Sequence, residues 1–132
     1  MSGAIQTVVT DLANEIYKKL GAGYSERVYH NAFEVLLRKN GIQYESERII
    51  PIEFMDHTIG NLRADLIVDG SLIVELKSVK NINQAMKTQV LNYLKLTGYT
   101  AGILVNFPQN QLEGEDCEIA VLVSDISLGK DQ

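Results

Sequence analysis

Cysteine is nearly absent: Cys117 is the only one in 132 residues. A lone thiol closes no internal disulfide, so the fold is expected to rest on packing, in a reducing, cytoplasmic setting. Histidine is almost as scarce. His30 and His57 lie far apart in the sequence and are expected at the surface rather than as ligands. With no Cys/His cluster, no zinc site is expected. No apolar run approaches the ~20 residues of a membrane span, so no membrane partner is expected. The first residues, MSGAIQTVVTDLANEIYKKL, put no basic stretch ahead of an apolar one and do not read as a secretory leader. Repeats, low-complexity tracts and linkers are also missing. The length is that of one domain, 1–132, able to bury a core of its own.

Positive charge is in short supply overall. Twelve Lys and Arg against 17 Asp and Glu give a net charge of −5, the wrong sign for a bulk nucleic-acid binder. The distribution differs from the sum. From Leu76 to Leu112 there is no acid, and that window holds Lys77, Lys80, Lys87 and Lys95. A local positive surface near Lys77 is compatible with this. Solvated lysines on a helix explain it equally, and charge alone favours them.

Periodicity supplies the elements. Ile5, Val8, Val9, Leu12, Ile16 and Leu20 keep helical spacing over 4–20, and Gly21 and Gly23 end that helix. Ser25 suits an N-cap for a second helix carrying Val28, Ala32, Val35 and Leu36 on one side and stopping at Asn40-Gly41. The period then changes to two. Residues 45–54 put Ile50, Ile52 and Phe54 on one face, with Pro51 arguing for a sheet edge. After a turn at Asp56-His57, residues 58–68 put Leu62, Ala64, Leu66 and Val68 on one face. Asp69-Gly70 is a hairpin signal, and 71–78 follow with Leu72, Val74 and Leu76 aligned. A third helix is expected over Asn83–Thr97, ending at Gly98. Ala101–Phe107 reads as a strand buried on both faces, and 118–124 as a last strand. The order ααβββαββ predicts an α/β fold with a mixed sheet and a parallel crossover over 71–107. The segment 125–132 carries no readable signal and is expected to be partly mobile.

Function concentrates in RADLIVDGSLIVELK, residues 63–77. Asp65 and Glu75 supply the one or two carboxylates that Mg²⁺ takes from a protein, and the Leu76 carbonyl adds an oxygen. Metal-bound water is a usable nucleophile near neutral pH, and Lys77 is placed to orient it and steady charge on a phosphate. Parity sets a condition. A two-residue loop at Asp69-Gly70 would pair Asp65 with Val74 and send the two acids to opposite faces. An odd loop, with Gly70 left-handed in a G1 bulge, puts them together. An Asp65–Lys77 ion pair on an exposed hairpin, worth roughly 0–1 kcal/mol, is the simpler reading of these three residues alone.

Two further patterns bear on this. Ile82, Met86, Gln89, Tyr93 and Thr97 form one stripe of the third helix, so Gln89 is expected mid-stripe on a buried face where its amide needs a partner that Tyr93 can share. Gly23-Tyr-Ser-Glu26-Arg-Val-Tyr29 places Glu26 at a helix start, where a carboxylate is favoured by the dipole. GYSERVY at 23–29, RADLIV at 63–68, IVELKSV at 73–79, QVLNY at 89–93 and LTGYTAGILVNF at 96–107 together resemble the GxxExxY family of the PD-(D/E)XK nuclease superfamily. The resemblance implies a restriction-endonuclease-like core, Asp65 and Glu75 as metal ligands, Lys77 as catalytic lysine, Glu26 as a helical acid supporting the metal, and Gln89 and Tyr93 as the Q-x-x-x-Y element beside the site. The family histidine three residues before the glutamine is Met86 here. The expected function is a Mg²⁺- or Mn²⁺-dependent nuclease hydrolysing phosphodiester bonds in DNA, with a homodimer able to bring two sites to two strands. The alternative is a catalytically inactive nuclease-fold domain that binds nucleic acid or protein.

Overall fold

AGILVN (Ala101–Asn106) is buried along its whole length, and the molecule is layered around it. The structure, a computed structural model, describes residues 2–109 and 116–124. The expectation for 125–132 lies outside the described residues. The elements are α1 (Ser2–Leu20), α2 (Glu26–Lys39), β1 (Tyr44–Phe54), β2 (His57–Val68), β3 (Leu72–Lys77), α3 (Gln84–Thr97), β4 (Ala101–Asn106) and β5 (Glu118–Val123), in the expected order. They form one mixed sheet, β1-β2-β3-β4-β5, in which only β3 and β4 run parallel. The parallel pair needs a crossover, and α3 provides it. Its ends are those the sequence marks: Asn83 accepts from the Met86 N–H, and Gly98 closes the helix with left-handed backbone.

On one face α1 and α2 cover Leu66, Val68, Leu72, Val74, Leu76, Ile103, Val105 and Phe107. On the other, α3 brings Tyr93 and Leu94 onto Ile67, Ile73, Ala64 and Ile50. The approach of α3 to β4 is close at Gly102, where an added Cβ would sit 2.6 Å from a Val90 methyl. β1 is the sheet edge, as Pro51 requires.

Several faces differ from those expected. On α2 the buried residues are Tyr29, His30, Phe33 and Leu37, whereas Val28 and Val35 are exposed. The stripe is rotated because Tyr29 and His30 enter the interior with hydrogen bonds satisfied, which hydropathy alone does not register. Ser25 has cap backbone but makes no side-chain cap bond. The β1–β2 turn is Met55-Asp56, both at positive φ, rather than Asp56-His57. Phe54 is 62% exposed, beyond a register shift at Ile52/Glu53. Along β2, Leu62 and Ala64 face α3 while Leu66 and Val68 face α1 and α2. The alternation breaks opposite Asp65, where Glu47 takes φ 59° and drops out of the ladder.

Gly102→Ala forces a methyl against Val90 on a β-branched side chain with little freedom to yield. The expected cost is about 1–3 kcal/mol, read as a lower urea midpoint at unchanged slope.

Candidate active site at the fork of the sheet

β2 and β3 pair only over Leu66↔Val74, Ile67↔Ile73 and Val68↔Leu72. The loop between them therefore has three residues, Asp69 to Ser71, the odd count that the two acids need. Gly70 takes φ 62° and Asp69 φ 57°, and the Ser71 N–H closes the turn on the Val68 carbonyl. Beyond Leu66 and Val74 the strands part: β2 continues outward with β1 as a two-stranded arm, and β3 ends toward α3. Asp65 and Glu75 are the first residues past the split.

Each acid crosses the fork to hold the other strand. The Asp65 N–H donates to Glu75 Oε1 at 2.8 Å, and the Leu76 N–H donates to Asp65 Oδ2 at 2.7 Å. The side chains thus replace ladder bonds that the parting strands have lost. Both are desolvated, with Glu75 only 3% exposed. Burial, with the Asp65 charge next in weight, pushes the Glu75 carboxyl up to about 8. Burial raises Asp65 too, against the Leu76 N–H and the fields of His30, Lys77 and Arg63. The pair titrates as a unit that keeps a proton into the neutral range. Leu76 brings only its backbone to the fork, since its side chain packs under α1 and α2. Neither Lys77 nor Arg63 forms an ion pair among the described residues, so the simple Asp65–Lys77 bridge is not made.

Glu26 is the first residue of α2, exposed, and close enough that its charge adds to the rise at Glu75. Tyr29 fixes the approach to that helix. Its ring stacks on Phe107 at 4.1 Å and 5°, and its hydroxyl donates to the Gly21 carbonyl at 2.6 Å. The same loop is tied to the end of β3 through Ser78 Oγ, which donates to the Tyr24 carbonyl. After Lys77 the chain is clamped again: Asn106 accepts from the Val79 N–H and donates to the Val79 carbonyl, and Glu118 accepts from the Ile82 N–H.

Tyr93 is buried beside the acids, but its hydroxyl donates to the Arg63 carbonyl at 2.6 Å rather than sharing a partner with Gln89. Gln89 is half-buried, not buried, and its amide makes no hydrogen bond among the described residues. Its neighbours line a groove with Leu62, Met86 and Asn92. Thus Asp65, Glu75, Lys77, Glu26 and Tyr93 gather around the fork, and Gln89 lies one helical turn away. Among the described residues no three His, Cys, Asp or Glu side chains form a ready metal cluster.

Comparison with protein families matches residues 4–117 to the PD-(D/E)XK nuclease superfamily. The chain belongs to that superfamily. The protein of the solved structure "Crystal structure of SSO0001" is similar at 21% identity and a TM-score of 0.55, over 80% of this chain and 55% of its own. The chain therefore spans about half the length of that relative, and the likeness is one of fold. An alkaline exonuclease from Laribacter hongkongensis, LHK-Exo, aligns over 96% of this chain and 72% of its own at 11% identity and a TM-score of 0.46. Its complex with dAMP gives 12% and 0.48 over the same shares. No curated protein sequence matches the chain.

Within this member of the PD-(D/E)XK superfamily, one residue beside the acids escaped the sequence reading. His30, expected at the surface, is 4% exposed. Its Nε2 lies 2.8 Å from Ser46 Oγ and 3.0 Å from Glu34 Oε2, which anchors α2 to β1. The available signal was its position four residues after Glu26, on the same helical face.

Two outcomes follow from this wiring. Between the ordinary glutamate value of about 4.3 and about 8, the folded metal-free protein binds more protons than the unfolded chain, so stability falls as pH rises through that window. Glu75→Gln keeps an acceptor for the Asp65 N–H and should flatten this dependence in thermal melts with chelator from about pH 5 to about pH 9. Tyr29→Phe keeps the stack on Phe107 but leaves the Gly21 carbonyl without its donor. It should cost about 1 kcal/mol in denaturant titration.

Proposed function

We propose that the protein is a metal-dependent nuclease that hydrolyses phosphodiester bonds in DNA at the fork between β2 and β3. The observation that carries this reading is the Asp65–Glu75 pair, a half-buried and a buried acid holding each other's strand, with no lysine or arginine bound to either among the described residues. Nucleases of this superfamily generally use divalent metal ions. The donors present suit such an ion: hard carboxylate oxygens from Asp65 and Glu75, with the Leu76 carbonyl and, through water, Glu26 in support. Mg²⁺ or Mn²⁺ bound there would supply Lewis acidity and lower the pKa of water.

The chain's own residues account for the remaining roles. Lys77, without an ion pair among the described residues, is available at the end of β3 to orient the attacking water and to meet negative charge on the phosphate. Tyr93 holds the arm by its Arg63 carbonyl, fixing the position of Asp65 two residues on. The Tyr29 and Asn106 contacts hold both chain segments that flank the fork, so the geometry is set before substrate arrives. The lone Cys117 agrees with a cytosolic location, and a homodimer would allow cuts on both strands of a duplex.

One observation favours a non-catalytic binding module: the lack of a ready cluster of three ligand side chains among the described residues. Incubation with linear, circular and single-stranded DNA and with RNA, with Mg²⁺, Mn²⁺ or chelator, separates the two. Metal-dependent cleavage of DNA is expected, falling by about a hundredfold or more in Glu75→Ala and in Lys77→Ala, as for loss of a group acting on transition-state charge. Cleavage that persists with chelator, or that is equal in the variants, would sink the assignment.

A further inference from the structure

We propose that the groove between the β1–β2 arm and α3 receives an unpaired nucleobase of the substrate, so that the enzyme acts on single-stranded or frayed DNA. This deepens the nuclease reading and rests on it. The groove has a volume of about 420 Å³, within the range of small-ligand sites. One wall is Leu62 on the arm. The other is the outer side of α3, with Met86, Thr88, Gln89 and Asn92.

Among the described residues, no charged one lines it. A phosphate therefore finds nothing there to neutralise it, and the groove suits the uncharged part of a nucleotide. Gln89 and Asn92, three residues apart on one helical face, each offer a donor and an acceptor side by side, the pattern that reads base edges. The Gln89 amide is half-buried with no partner among the described residues, so its hydrogen-bonding capacity is available there. Asn83, by contrast, has its side-chain oxygen committed to the Met86 N–H. Leu62 and Met86 present apolar surface from opposite walls, as pockets for extruded bases do.

The groove adjoins the fork. Leu62 lies three residues, roughly 10 Å of strand, from Asp65. Tyr93, one turn on from Gln89, is bonded to the carbonyl of Arg63, the next residue after Leu62. A strand whose phosphate reaches Asp65 and Glu75 thus has a neighbouring base at the groove. A base stacked within a duplex cannot enter between Leu62 and Met86, so the groove requires a base that has left the stack.

The test uses the intact protein with Mg²⁺ or Mn²⁺ and single-stranded oligonucleotides carrying one abasic nucleotide at each position in turn. Blunt duplexes serve as a second substrate, and Asn92→Ala and Met86→Ala as variants. Asn92 is exposed and Met86 half-buried, and circular dichroism verifies that both variants fold. Wild type should cut beside one abasic position about fivefold or more slowly than in the intact strand, the lower end of what a bound base contributes. Both variants should lose rate on the intact strand and shrink the abasic difference. Blunt duplex should be cut more slowly than single strand. Equal cutting at every abasic position, or equal rates on blunt duplex and single strand, would overturn the base groove while leaving a metal-dependent nuclease standing. Absence of metal-dependent cleavage on every substrate would remove the nuclease reading and this inference with it.

Discussion

Where β2 leaves β3, two backbone N–H groups lose their ladder acceptors, and Asp65 and Glu75 supply replacements across the gap. This exchange explains why the acids occur at the point of divergence and not elsewhere on the hairpin. An apolar side chain of similar size would leave a buried donor unsatisfied, at roughly 1–3 kcal/mol per group. A carboxylate satisfies it but introduces a second problem, because two like charges are then held together in a partly desolvated site. The raised pKa values of both acids are the physical expression of that conflict, and a retained proton is how the isolated chain relieves it. A divalent cation would relieve it more completely. The same two bonds that hold the fork open therefore leave it short of positive charge.

Everything around the fork limits how far that strain can relax. The loop before α2 hangs from the Tyr29 hydroxyl, whose ring is locked on Phe107. The segment after Lys77 is clamped by both ends of the Asn106 amide, a residue with no exposed surface. The arm is held by Tyr93 through Arg63. These are long-range contacts between elements far apart in sequence, so the acids cannot separate without breaking bonds at β4 and both flanking helices. Such pre-organisation is what a site working on developing charge needs.

Much of this is legible in the sequence, and the exceptions have physical causes. The element order, the extent of α3 and the doubly buried β4 follow from periodicity and from Gly98, whereas the Asn83 cap is seen only in the fold. The three-residue turn at Gly70 follows from chemistry: two acids that share a site dictate an odd loop, and the register obeys. The burial side of α2 does not follow, because Tyr29 and His30 score as weakly apolar yet enter the core with their polar atoms bonded. The reversal of faces along β2 is also invisible. It depends on left-handed backbone at Glu47, a glutamate with nothing in its type to announce that conformation. Gln89 lies toward the arm instead of deep in the core because Val90 and Leu94 take the positions nearest Gly102.

The acidic balance of the chain then has a consistent explanation within the proposed function. A protein that gripped a polyanion through many phosphate contacts would need a broad basic surface, since those contacts dominate non-specific affinity. Here the net charge is −5, and the cations at the fork are few: Lys77 and Arg63 are free of ion pairs among the described residues, whereas Arg27 is bound to Glu47. Division of labour removes the need for such a surface. On the proposed function a phosphate would be met at the fork, by one or two cations and by whatever ion the acids hold. The rest of the nucleotide would be met by carboxamides and apolar side chains that carry no charge and repel none. A chain arranged this way would discriminate against substrates that offer only a backbone, because the uncharged groove would contribute nothing until a base entered it.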